Sequence, residues 1–320
     1  MKSNFISQKK KQLLKKWRDD EVKIIGVIGS QGTGKSTIMS HLSSQKLEEN
    51  VFEIQSKEKR LKSIHQTEGL EIFFNENQKF ILIDSQAIQS ASILQRMLEK
   101  KEKENSNNFS NNYSAIQTEH YSQSLKIVMF LLSICHIIIL MNQNNNIDFE
   151  LLKLIRSCQM LNNSDSITSN STSSNHPLKN KFLPIFISLH NKSNPSSPQQ
   201  QTYLANACKH ILKKDLIDLE KADSKFEINH FENQSNQMQQ EFFKKETQFE
   251  NTIFFQFIPH QHSNQYFESI CSLENLVIRL CKSIHGITLK EWLKTINKEY
   301  NSIQNSQQLF KFLQTSELDF

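Results

Sequence analysis

Arginine, cysteine and glycine are all in short supply in this chain, and each shortage narrows what the protein can be. There are only five arginines (Arg18, Arg60, Arg96, Arg156 and Arg279), and no two of them form a pair. A phosphate-transferring kinase generally closes arginines over its phosphates, so this scarcity argues against that class. The five cysteines, Cys135, Cys158, Cys208, Cys271 and Cys281, are odd in number and widely spaced, with no C-x-x-C pair. That excludes a disulfide framework and predicts reduced, buried thiols in the cytosol or nucleus, with the cytoplasm the expected location. No apolar run reaches the roughly 20 residues that a membrane span needs. The nearest, Ile127 to Met141, carries Ser133 and His136 and reads as a helix running into a buried strand. The opening stretch M-K-S-N-F-I-S-Q-K-K-K lacks the apolar core of a signal peptide, so no membrane association is expected. Net charge is only +5, with its lysine excess gathered at Lys9, Lys10, Lys11, Lys15 and Lys16. Such a run is a solvated helix face, and without interleaved aromatics it predicts no direct sequence-specific nucleic acid binding.

Glycine is the most telling shortage. Of six glycines in 320 residues, four (Gly26, Gly29, Gly32 and Gly34) fall within nine positions. They belong to G-S-Q-G-T-G-K-S, Gly29 to Ser36, which fills every fixed position of the phosphate-binding pattern G-x-x-x-x-G-K-[ST]. An apolar strand, Val22 to Ile28, precedes it, and Ile38, Met39 and Leu42 follow at helical spacing. Strand, loop and helix start thus arrive in the order that lets inward-turned backbone N–H groups surround an anion. The alternative, a plain glycine turn at a strand end, does not account for all fixed positions at once. Lys35 is positioned to reach the β- and γ-phosphates, and the Ser36 hydroxyl to ligate Mg2+. Further on, Phe80-Ile81-Leu82-Ile83-Asp84 is an apolar strand ending in a carboxylate, the pattern that holds the same metal through water. Thr67, just before the strand Leu70 to Phe74, stands where a switch-type domain places a second metal ligand. Asp84-Ser85-Gln86-Ala87 occupies the place of a D-x-x-G turn but has alanine for its glycine, which argues against an ordinary phosphate-triggered switch.

The remaining chain alternates helices and strands. Helical spacing marks Ile93 to Leu98, the run from Ser122, Ile147 to Leu161, and Leu204 to about Glu220, while Ile137 to Leu140, Ile185 to Leu189 and Ile253 to Ile258 read as buried strands. This predicts a Ras-like α/β domain, a doubly wound and mostly parallel sheet with the nucleotide at the carboxyl ends of its strands. The expected organisation is a basic N-terminal helix over 1–20, a P-loop domain over 21–285 and a C-terminal helical extension over 286–320. Polar, low-complexity insertions are expected near 100–120, 162–181 and 226–250. In the extension, Leu289, Trp292, Leu293 and Ile296 make an apolar stripe that either packs back on the domain or meets a partner.

Taken together, V-I-G-S-Q-G-T-G-K-S-T-I-M-S, Q-T-E-G-L-E-I-F-F, F-I-L-I-D-S-Q, S-L-K-I-V-M-F-L-L-S-I-C-H-I-I-I-L and the strand ending H-N-K resemble the Smg-nine-like G-domain subunits of the nonsense-mediated mRNA decay kinase complex. The similarity runs from about Val22 to Lys192 and resumes more weakly at Ile253 to Ile258 and around Trp292 to Leu313. It implies a regulatory or scaffold subunit, non-catalytic or at most a slow NTPase. It also implies a Smg-eight-like G-domain partner, docking on the Smg-one PI3K-like kinase, and an indirect link to the Upf-one helicase. A free P-loop NTPase or small-molecule kinase is the alternative. The nucleotide-site residues expected are Gly29, Gly32, Thr33, Gly34, Lys35, Ser36, Thr37, Thr67, Asp84, Asn191 and Lys192, with Ser36, Thr67 and Asp84 serving Mg2+. His190-Asn191-Lys192 begins an N-K-x-D base-reading motif, but its last position is Asn194. A carboxamide offers one acceptor and one donor where guanine needs two acceptors, so the expected occupant is a purine nucleoside triphosphate with ATP favoured over GTP.

Overall fold

The computed structural model describes residues 15–43, 51–52, 67, 69–104, 109–168, 184–193, 228–230 and 253–316. In chain order the elements are β1 (Glu21–Gly29), α1 (Lys35–Leu42), β2 (Leu70–Asn75), β3 (Phe80–Ser85), α2 (Ala91–Glu104), α3 (Phe109–Ile134), β4 (Ile137–Gln143), α4 (Phe149–Thr168), β5 (Ile185–Ser193), β6 (Ile228–His230), β7 (Ile253–Pro259), α5 (Tyr266–Ser283), β8 (Ile287–Thr288), α6 (Leu289–Gln304) and α7 (Gln307–Ser316).

The strands form one sheet in the order β2-β3-β1-β4-β5-β7-β6, with β8 added to the start of β1. Pairings β1 with β3, β1 with β4, β4 with β5, β5 with β7 and β6 with β7 are parallel; only β2 with β3 and β8 with β1 are antiparallel. This is the doubly wound, mostly parallel sheet that the alternation of strands and helices predicts. Since β3 joins one side of β1 and β4 the other, the order of the sheet reverses at β1, and a crevice opens at its carboxyl end. Both faces of the sheet are covered, which is why its strands read as continuous apolar runs. Val22, Ile24 and Ile28 of β1 face a layer built from α3, α4, α6 and α7, whereas Ile25 and Val27 face α1 and α5. Gly26 keeps that packing close, because a Cβ there would lie 2.8 Å from the sulfur of Cys135, just past the end of α3.

The structure differs from the sequence-based expectation in three places. The polar stretch near 100–120, expected as an insertion, is mostly helical: α2 runs to Glu104 and α3 starts at Phe109. Its Asn and Ser content lowers helix propensity, but Ile116 and His120 stand one turn apart and are both buried. A Lys101–Glu119 ion pair at 3.1 Å joins the two helices across the gap. Near 162–181, α4 continues to Thr168, and residues 169–183 lie outside the described residues. The region 226–250, left unassigned by periodicity, contributes the edge strand β6, paired to β7. The expected helix from Leu204 to about Glu220 lies outside the described residues, as does most of the N-terminal segment. Residues 15 and 16 are helical, and the chain then turns through Trp17 into β1.

Of the apolar stripe of the extension, Leu289 and Trp292 are buried against the domain and Ile296 packs partly on it, whereas Leu293 is exposed. Thr288 caps α6, with its hydroxyl accepting from Glu291 N while the Glu291 carboxylate accepts from Thr288 N. Trp292, 1% exposed, inserts between α6 and α3 and donates its indole N–H to Ile134 O at 3.2 Å. Trp17 is likewise a packing residue, edge-on to Phe74. No helix among the described residues is long and apolar enough to cross a membrane.

Removing a fully buried indole and its hydrogen bond should destabilise the fold by about 3–5 kcal/mol. Urea unfolding of Trp292→Ala against wild type measures this; a loss below about 1 kcal/mol would contradict the packing role.

Candidate functional site

The loop between β1 and α1 sits at the carboxyl end of the central strand, and Lys35, Ser36, Thr67, Asp84, Asn191 and Lys192 gather around it. Gly34 adopts φ 93°, and a Cβ at this position would lie 2.4 Å from Asn191 Nδ2, so only glycine fits. It stands immediately before α1, whose first-turn amides, those of Lys35, Ser36 and Thr37 among them, lack partners within the helix. These amides and the positive end of the helix dipole make the anion site.

Two buried charges lie within it. Lys35 is buried, and its ammonium donates to Gly29 O and Ser30 O, both at 3.0 Å. Burial pushes this lysine down to about 8, with the Asp84 charge acting the other way. Asp84, at the end of β3, is completely buried. Burial raises its carboxyl above the ordinary range, against the pull of Ser36, Lys35 and Thr67. Its Oδ2 accepts from the Ser36 hydroxyl at 2.7 Å and from the Thr67 hydroxyl at 3.2 Å, whereas Oδ1 has no hydrogen-bond partner among the described residues. A buried carboxylate oxygen left over beside two hydroxyl oxygens is a donor set of hard oxygens, which suits Mg2+. Ser36, Thr67 and Asp84, far apart in sequence, are therefore brought together.

Asn191 and Lys192 arrive from β5 on the other side. Asn191 Nδ2 donates to Thr33 O at 2.8 Å, its Oδ1 accepts from Lys192 N at 2.9 Å, and Lys192 Nζ donates to Gly32 O at 3.3 Å. Both residues fasten the loop, with the lysine stem lying along it. Lys192 takes a left-handed backbone, φ 57°, where the pairing of β5 with β7 shifts register between Asn191 and Ser193. Asn194 lies outside the described residues.

Sequence reasoning missed the other fasteners. Ser30 donates to Asp148 Oδ2 at 2.5 Å, and Asp148 Oδ1 accepts from Leu151 N, so one carboxylate caps α4 and grips the loop. Asp148 N donates to Asn142 Oδ1, and Asn142 Nδ2 donates to Ser188 Oγ, which is 3.3 Å from His190 Nε2. Burial pushes His190 down to about 4, keeping the ring neutral where it stacks on Phe257. Gln31 accepts from Ser90 Oγ at 2.6 Å and from Ser92 Oγ at 2.9 Å, linking the loop to the start of α2. The one signal available for these was negative: polar residues at positions where the apolar period lapses. Gln86, a residue type able to orient a water, accepts from Gly69 N at 2.8 Å.

A family model described as Smg8_Smg9 matches residues 17–247. The nonsense-mediated mRNA decay factor SMG9 of Xenopus laevis is 32% identical over 179 residues, covering 54% of this chain and 34% of its own. Its counterpart from Salmo salar is 33% identical over 176 residues, covering 53% of this chain and 34% of its own. The nonsense-mediated mRNA decay factor SMG8 of Caenorhabditis briggsae is 25% identical over 161 residues, covering 50% of this chain and 16% of its own. The chain thus spans about a third of the length of the SMG9 relatives it matches. Among solved structures, translation elongation factor SelB from Methanococcus maripaludis in complex with the GTP analogue GppNHp aligns at 9% identity and TM-score 0.40, over 84% of this chain and 36% of that one. The septin GTPase domain from Chlamydomonas reinhardtii aligns at 11% identity and TM-score 0.36, over 89% of this chain and 99% of that one. With the family model extending from Trp17 through the P-loop, the Asp84 strand and β5, the protein belongs to the Smg8_Smg9 family.

Proposed function

We propose that this protein is a nucleotide-holding regulatory subunit acting in nonsense-mediated mRNA decay, whose G-like domain pairs with a Smg-eight-like partner and docks on a Smg-one PI3K-like kinase that acts on the Upf-one helicase. Family membership supports the pathway and the partner, since SMG9 and SMG8 relatives carry that name. The observation that carries the holding role is the position of Gln86. The phosphate cradle is complete, with Lys35, Ser36, Thr67 and Asp84 in place, yet the side chain that could orient a water is bonded to Gly69 N. Such a site binds and retains rather than turns over. Bound there, Mg2+ supplies positive charge against the phosphate oxygens. Ser36, Thr67 and Asp84 are the residues that would hold it, while Lys35 and the first-turn amides of α1 orient the phosphates. The base pocket favours ATP over GTP, because Asn194 lacks the paired acceptors that guanine requires.

Affinity purification of the tagged chain from its own cells tests the assembly. Recovery of a Smg-eight-like protein together with a large PI3K-like kinase is expected, and their absence would remove the regulatory reading. Turnover of about one per second by the clean protein, abolished in Asp84→Ala, would point instead to a free NTPase.

Lys35 sets the pH response of binding. A bound phosphate anion favours the charged ammonium, whereas burial holds the free lysine at about 8. Binding above that pH therefore takes up a proton, and the nucleotide affinity should hold steady to about pH 8 and then fall roughly tenfold per unit. Titration calorimetry at pH 7, 8 and 9 reads this, and an affinity unchanged at pH 9 would disprove it. Lys35→Ala, which removes a charge-assisted hydrogen bond, should weaken affinity about ten- to a hundredfold at pH 7.

Competition between ATP and GTP checks base choice. ATP should bind at least as tightly, and Asn194→Asp should move the ratio toward GTP. A wild-type preference for GTP beyond about tenfold would reverse the assignment.

A further inference from the structure

We propose that Gln86 is a positioning residue that holds Thr67 at the metal edge of the site independently of the γ-phosphate, so that the diphosphate and the triphosphate leave this region in one arrangement. The inference rests on the nucleotide-holding reading above and concerns how that site is regulated. In a phosphate-triggered domain, the loop that carries this threonine is ordered by contacts to the γ-phosphate and its metal, and it is released on hydrolysis. Here Thr67 and Gly69 themselves are held by the protein's own groups.

The ladder between β2 and β3 ends with Leu70 opposite Ser85. Beyond it, Gln86 adds a rung of another kind, for its backbone N–H donates to Gly69 O and its side-chain Oε1 accepts from Gly69 N, both at 2.8 Å. Gly69 is thus held through both its donor and its acceptor. Thr67 is two residues upstream, so its reach from that anchor is at most about 7 Å. It is buried, with its hydroxyl on Asp84 Oδ2 at 3.2 Å.

The segment after Asp84 is fixed along its length. Ser85 Oγ donates to Val27 O at 2.6 Å, Ile88 N to Gly29 O at 3.2 Å, and Gln89 N to Ser124 Oγ at 3.1 Å. Ser90 Oγ reaches Gln31 in the loop itself, and Ala87 and Ile88 are buried. Alanine at position 87 contributes a buried methyl where a switching turn needs a freely rotating glycine. A segment tied to β1, the P-loop, α3 and Gly69 has no second arrangement of comparable energy, and allosteric switching requires one.

Two measurements test this on the full chain with Mg2+. First, exchange of the Gly69 amide should be protected to within about threefold in complexes saturated with ADP and with adenylyl imidodiphosphate, the guanine counterparts being run alongside. Protection more than about tenfold greater with the triphosphate analogue would mean that the γ-phosphate orders the loop, and the proposal would be wrong. Second, Gln86→Met keeps the length of the side chain and removes its acceptor. It should weaken Mg2+-assisted ADP binding about three- to tenfold, the scale of one hydrogen bond. In a Thr67→Val background the same substitution should change nothing further, because Gln86 acts through Thr67. An undiminished effect in that background would overturn the positioning role while leaving the nucleotide site intact. Failure of wild type to bind any of these nucleotides would instead remove the nucleotide-holding reading itself.

Discussion

Two opposite charges buried at the ends of β1 and β3 impose the constraint on which the rest of the site depends. An unpaired ammonium or carboxylate away from water costs several kcal/mol, and close polar partners offset that cost only when the geometry is good. Lys35 meets the condition by turning its ammonium onto the carbonyls of Gly29 and Ser30. Asp84 meets half of it through Ser36 and Thr67, which leaves Oδ1 without a partner among the described residues. The carbonyls can face Lys35 only if the loop holds its shape. That is why so many neighbouring side chains, from α4, α2 and β5, terminate on the loop. The cradle is stiff because its own lysine is costly to bury.

The fold was legible in the sequence wherever one physical signal repeated. Apolar runs of strand length, helical spacing and the glycine cluster located β1, α1, β3, β4, β5 and β7. What could not be read were contacts with no period. Ser30 with Asp148 is a pair separated by 118 residues, and nothing local to either marks the other. Gln31 with Ser90 and Ser92 is similar, and so is the run from Asn142 through Ser188 to His190. The start of α3 was hidden for a different reason. Its residues are poor helix formers one by one, and tertiary burial of Ile116 and His120 outweighs their propensity. Gln86 shows the limit of motif reading, because a residue type suited to orienting water performs a structural task once its geometry is known.

The comparison between loop and switch also shows how a nucleotide fold can be retained while its signalling use is reduced. The candidate phosphate-binding atoms lie on β1, α1 and β3, whose apolar side chains are buried in the core. The atoms that would report the phosphate lie on the segment after Asp84, where a few polar side chains and one methyl suffice to fix it. The candidate binding groups are built into the architecture, whereas the segment after Asp84 is fixed by a handful of individual side chains.

The closure of the C-terminal extension onto the first strand also affects how the chain folds as it is made. Glu21 accepts a hydrogen bond from Gly286 N, 265 residues further on, and β8 completes the outer edge of β1 from there. Leu289 N and Lys290 N donate back to Asp20 O and Arg18 O, and Trp292 fills the space above Ile134. The strand that carries the P-loop therefore leaves the ribosome well before α6, and the part of its apolar face that α6 covers waits for that helix. Contacts of such long separation form slowly, since the entropy of closing the loop is lost before any packing is gained. Until then the nascent chain exposes the face that α6 will cover, a surface that calls for a chaperone or an early-binding partner during synthesis.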